Sequence, residues 1–136
     1  MIAKILWEIG SAIPFLIGIA HFSGTLYSKL LHPTNKKLME EMKISPIEVD
    51  PKALLWNAWI GFNSTFGICL TFMGFINFYL AYSHFELLQG FSLIAVVTIL
   101  STGLLSIIAR KYLIKRVERI FLYATILFII SSILSL

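Results

Sequence analysis

Long apolar stretches broken by short charged ones set the pattern of this chain. Apolar runs cover residues 5–27, 53–81, 88–109 and 119–136, and the segments between them carry most of the charge. A helix needs about 20 apolar residues to cross a bilayer, so each run is near that length, with the last at the lower limit. Backbone groups in lipid must bond within their own segment, so each run is expected to be helical. The pattern predicts an all-α integral membrane four-helix bundle, up-down-up-down, forming a single transmembrane domain over 1–136. Asp50 reads as the N-cap of the second helix, with Pro51 as its first residue, where a missing N–H is harmless. In "RKYLIKRVER" five basic residues forbid one continuous membrane helix, and a reversal is expected near 113–117.

Periodicity sorts the faces of these helices. Ser11, Pro14, Gly18, His21, Thr25 and Ser28 fall three or four apart in the first run. Asn63, Gly67, Leu70, Gly74, Asn77 and Ala81 do so in the second, and Ser92, Ala95, Ile99, Thr102, Ser106 and Ala109 in the third. Small residues let backbones approach where lipid offers little hydrophobic reason to associate, so these stripes are the expected inward faces. Phe, Ile and Leu fill the remaining faces.

Composition agrees. The chain is 58% hydrophobic and 13% charged, with mean hydropathy +0.87. A soluble domain of this size is nearer half apolar and a quarter charged. The single cysteine, Cys69, excludes an internal disulfide and any Cys-x-x-Cys motif, and it reads as a small hydrophobe.

The net charge of +4 does not point to nucleic acid, because of where the charges lie. The first and third loops, with Arg119 at the edge of the last run, hold ten basic residues, and Lys4 is the only other one. The positive-inside tendency makes those loops cytoplasmic, at an inner cell membrane, with both termini outside. Tyr27, Trp56, Trp59, Tyr112 and Tyr123 then form an inner aromatic belt, and Trp7, Tyr79, Tyr82 and Phe85 an outer one. A cleaved signal peptide ending at Ala20 is the rival reading of the N-terminus. It would put the lysines of the first loop outside, and Glu8 and Pro14 interrupt its apolar run. Within loop 28–52, "TNKKLMEEMK" predicts a short amphipathic helix. Thr34 or Asn35 is its cap, Lys36–Glu40 and Lys37–Glu41 are i,i+4 pairs, and Ser45-Pro46 is its end. It lies on the inner membrane surface or is a solvated connector; the sequence leaves both open.

Candidate chemistry is sparse. Counting 1.5 Å per residue from the inner ends puts His21, Asn63, Thr102 and Thr125 roughly 9–15 Å inside the boundary, in one polar layer. His21 is the one ionisable side chain at that depth, which makes the layer a candidate ligand or proton-relay site. Interhelical hydrogen bonds that fix helix register explain the same residues without a ligand, and this is the preferred reading. Glu8 reads as a solvated interfacial acid. His84 and Glu86 near it are too loosely spaced for a metal signal, and His32 is a loop residue. No catalytic constellation is present: there is no serine with a base in register, no buried carboxylate pair and no phosphate loop. The cofactor therefore stays unknown.

Two segments, "GIAHFSGTL" and "AWIGFNSTFG", with the lysine-rich loop between them, resemble a family of small, uncharacterised bacterial four-helix membrane proteins without an assigned activity. The resemblance covers most of the first two runs and thins out afterwards. It rests on His21 and on Gly61, Phe62 and Asn63, and it implies the fold but no chemistry. In that family a second histidine often follows the asparagine closely. Ser64, Thr65 and Phe66 stand there in this chain, so the resemblance brings no two-histidine metal or haem site.

Three functions fit these observations. One is a structural or accessory membrane subunit, with a membrane-protein partner or a second copy against its apolar faces. Another is a binder or enzyme for a lipid-like molecule, an isoprenoid or quinone, meeting His21 and Asn63. The third is a small proton-coupled transporter, which Glu8 serves poorly because it lies too near the helix end.

Overall fold

The structure is a computed structural model describing residues 1–136. Helix α1 spans Ile2–Tyr27, a short α2 Lys36–Ile44, α3 Leu55–Ser83, α4 Leu93–Tyr112 and α5 Lys115–Leu134. Strands β1 (Pro46–Ile47) and β2 (Asp50–Leu54) form an antiparallel ribbon before α3, and a 3-10 turn, Phe85–Leu88, precedes α4. Helices α1, α3, α4 and α5 are each long and apolar enough to cross a membrane. The chain is therefore an all-helical, multi-pass type of membrane protein, as its hydrophobic pattern implies.

Contacts divide it into two compact units, one of Met1–Leu16 with Thr71–Leu136, the other of Ile17–Leu70. In the first, Trp7, Ala81, Leu88, Ala95, Ala124 and Phe128 form the buried core. The small-residue stripes are its packing surface: Ser11 and Pro14 on α1, Gly74, Asn77 and Ala81 on α3, and Ala95, Thr102, Ser106 and Ala109 on α4 are all buried. Gly74 shows why size matters there. A Cβ on it would lie 2.3 Å from the Phe15 backbone nitrogen, so only glycine allows this approach of α3 to α1. Helix α5, where the sequence showed only Thr125, buries Phe121, Ala124, Phe128, Ser131 and Ser132 as well.

In the second unit, Asn35 caps α2, accepting from the Lys37 and Leu38 N–H groups. Ser45 closes the helix, and Met42 is its buried residue. Lys37 lies 3.9 Å from Glu41, as expected, while Glu40 pairs with Lys43 at 2.8 Å rather than with Lys36. The indole N–H of Trp59 donates to the Leu31 carbonyl at 3.1 Å, and His32 stands edge-on to Trp56.

Four expectations are corrected. Asp50 does not cap α3, and Pro51 does not open it. The Asp50 carboxylate accepts from the Lys52 N–H at 2.9 Å, folding onto its own turn, and 50–54 pairs as a strand so that the helix starts at Leu55. Pro51 has no N–H to give to either helix or ribbon, so the ribbon accommodates it equally well. Helix α4 starts at Leu93 and not near 88, because Gly90 takes φ +58° and Ser92 then caps the helix through the Ala95 N–H. Helix α5 starts at Lys115 and not at 119; the basic side chains can stay helical while their heads reach water, which gives a 20-residue span. Trp7, placed in an outer aromatic belt by its position, is 0% exposed. Its ring packs 4.7 Å from that of Phe128, and its N–H has a buried acceptor. The reversal between α4 and α5 falls at Leu113–Ile114, inside the expected window. Cys69 is exposed on the apolar surface of α3.

Candidate functional site: the His21–Asn63 pair

Of the four predicted site residues, the structure brings two together. His21 on α1 and Asn63 on α3 meet with Nε2 3.1 Å from the amide oxygen. The Asn63 amide nitrogen donates to the Trp59 carbonyl at 2.8 Å, and a carbonyl can only accept, so the amide orientation is fixed. Its oxygen therefore faces His21, and the bond requires a hydrogen on Nε2. A neutral His21 then has a bare Nδ1, which no protein group bonds. Phe66 stands edge-on to the imidazole with centroids 5.2 Å apart, and Thr25 donates to the His21 carbonyl at 2.7 Å. Close backbone approach sets up the pair: a Cβ on Gly67 would sit 2.8 Å from the Phe22 nitrogen and 3.0 Å from the Gly18 oxygen.

Thr102 and Thr125 belong to the other unit, and both are buried. Thr102 donates to the Thr98 carbonyl at 2.9 Å, and Thr125 to the Phe121 carbonyl at 2.8 Å. Each hydroxyl is thus bonded to its own helix backbone, the common fate of threonine in a membrane helix.

A second polar node lies in that unit. Asn77 on α3 donates to the Met73 carbonyl at 3.0 Å, and its oxygen accepts from Trp7 on α1 at 3.3 Å and from Thr98 on α4 at 3.0 Å. Trp7, Asn77 and Thr98 are all buried. Asn77 stood in the predicted stripe, but its part in tying three helices was missed. A signal existed: Asn77 lies two heptads after Asn63, and Trp7 two heptads before His21, so the same spacing recurs on both helices.

Other candidates stay isolated. His84 Nδ1 lies 3.3 Å from Glu86, both exposed, and no three His, Cys, Asp or Glu side chains converge on a metal-sized site. The Glu86 carboxyl is held below its usual range, first by a backbone hydrogen bond at Glu86 and then by His84. Lys4 donates to the Tyr82 carbonyl at 2.8 Å, and Glu8 is only partly exposed. A cavity of about 350 Å³ between α1 and α3 is lined by Ala12, Phe15, Leu16, Phe75 and Phe78, all apolar. Ser64 Oγ, next along α3 from Asn63, is buried without a hydrogen-bond partner, as is Ser132 Oγ.

No family model, curated protein or solved structure matches this chain.

Proposed function

We propose that this protein is a structural or accessory subunit of a membrane assembly, and that its intramembrane polar residues hold its own helices together. One observation carries the reading: each of the four candidate site residues makes its hydrogen bond within the chain. Asn63 is divided between Trp59 and His21, and Thr102 and Thr125 bond their own helices. Such bonds fix register at modest energy and call for no bound molecule. The outward faces are apolar: Phe62, Ile68, Phe72 and Phe75 on α3, and Leu100, Leu104 and Ile107 on α4, are exposed. They can face lipid or a partner's membrane helix.

The same proposal includes an up-down-up-down bundle with both termini outside and loops 28–52 and 110–118 in the cytoplasm of an inner-membrane protein. It rests on the ten-to-one distribution of basic residues. Kinship with the four-helix family resembled by "GIAHFSGTL" and "AWIGFNSTFG" is part of it too, supported by those segments alone.

The test is the intact mass of the protein released from its native membrane under non-denaturing conditions. The reading expects the 15.4 kDa chain with a protein-sized increment, a partner or a second copy, that survives His21→Ala and Asn63→Ala. A bound small molecule lost with either substitution would overturn it in favour of an isoprenoid- or quinone-like ligand.

A further inference from the structure

Two connections carry five basic residues each, and they differ in how many carboxylates accompany those residues. Between α1 and α3, residues 28–54, Lys29, Lys36, Lys37, Lys43 and Lys52 share the segment with Glu40, Glu41, Glu48 and Asp50. Lys37 and Lys43 each lie within 4.0 Å of a carboxylate. At the α4–α5 turn, Arg110, Lys111, Lys115, Arg116 and Arg119 share residues 110–119 with one acid, Glu118. Glu118 lies 3.8 Å from Arg110, and its side chain is only 22% exposed. Lys111 sits over the Tyr112 ring, and Lys115, Arg116 and Arg119 make no ion pair, so four exposed cations remain uncompensated.

We propose that the α4–α5 turn binds the phosphate groups of anionic phospholipids, and that the α1–α3 connection does not share this preference. This rests on the membrane reading above. Helices α4 and α5 are both of spanning length; Arg110 and Lys111 occupy the last turn of one, Lys115 and Arg116 the first turn of the other, and Arg119 follows one residue beyond it. The turn therefore lies at headgroup level. Its tip, Tyr112, Leu113 and Ile114, is apolar and exposed. Those side chains rest against the headgroup layer while the long basic stems carry their charged heads to phosphate. Arginine's planar fork matches a phosphodiester's paired oxygens. A free phosphate could meet the same cations but has no use for the apolar tip, which is why the lipid is the assigned source.

The experiment reconstitutes the full chain into phosphatidylcholine vesicles doped with phosphatidylglycerol. Spin-labelled analogues of the two lipids report which is motionally restricted by the protein. The native chain is expected to prefer the anionic label by roughly three- to tenfold, falling as salt is raised. Substitution of Lys111, Lys115, Arg116 and Arg119 by Gln should bring the ratio close to one, whereas Lys29→Gln, Lys36→Gln and Lys52→Gln together should leave it unchanged. At matched ionic strength, inorganic phosphate in place of chloride should not change the native ratio; its loss under phosphate alone would assign the cations to free phosphate and overturn the lipid source. A native chain that inserts and shows no preference also overturns the proposal, whatever the variants do, as does a preference lost only with the α1–α3 lysines. Failure of the native chain to insert at all would instead sink the membrane reading beneath it.

Discussion

Asn77 and Asn63 use one device in two settings. Each sits on α3, gives its amide N–H to the carbonyl one turn back, and turns its oxygen toward α1. At Asn77 the oxygen is saturated by Trp7 and Thr98, all three residues are buried, and three helices are tied together. At Asn63 the oxygen has one partner, the pair is only partly buried, and that partner is a histidine with a free Nδ1. Glycines support both in the same way, with Gly74 against Phe15 and Gly67 against Phe22 one heptad apart on each helix. An intramembrane asparagine is thus no sign of a ligand site by itself. Its remaining valences and its burial decide how much it contributes to the fold.

The comparison can be broken at several points, each read as reversible unfolding in a lipid or detergent bilayer mimic. Gly74→Ala should have the largest effect, about 3 kcal/mol, since the new methyl meets backbone at 2.3 Å and the helices must part. Asn77→Ala should follow at about 2 kcal/mol, because two interhelical bonds are lost and a buried indole N–H is left unmet. Gly67→Ala, whose contact is looser at 2.8 Å, should cost about 1–2 kcal/mol. Gly61→Ala meets nothing within 4 Å and should stay within about 0.5 kcal/mol of native. If Gly61→Ala matched Gly74→Ala, close packing would not be the reason for these glycines.

The smallest effect belongs to Glu86, which is exposed. Its carboxyl is held below its ordinary value by the backbone hydrogen bond at Glu86 and by His84, so whatever it contributes is present above the ordinary value and fades as pH falls through the lowered one. Glu86→Gln should leave the unfolding midpoint at neutral pH unchanged within error.

Much of this was legible from residue spacing. Gly67, Leu70, Gly74, Asn77 and Ala81 stand three or four apart, and all are buried, because helical period and size together dictate which face can admit a neighbour. The His21–Asn63 contact was foreseeable as a depth match. Helix starts were less legible. Asp50-Pro51 carries a good capping signal, yet it pairs with Pro46–Ile47, a two-residue strand too short for its pattern to announce, and that pairing decides the outcome. Trp7 was misplaced for a related reason: its position near a helix end suggests an interface, and only the tertiary partners Asn77 and Phe128 reveal a core residue. Helix α5 carried few small residues near its start, so its packing face could be read only at Thr125.

A double-mutant cycle on His21 and Asn63, set beside one on Trp7 and Asn77, tests the structural reading most directly. Stability is measured for each single alanine variant and for each pair. Glue predicts a favourable coupling of about 0.6 kcal/mol between His21 and Asn63, and a larger one, up to about 2 kcal/mol, between Trp7 and Asn77. No coupling between His21 and Asn63, with both single variants as stable as the native chain, would contradict it: the pair would then be kept for something other than holding the helices together.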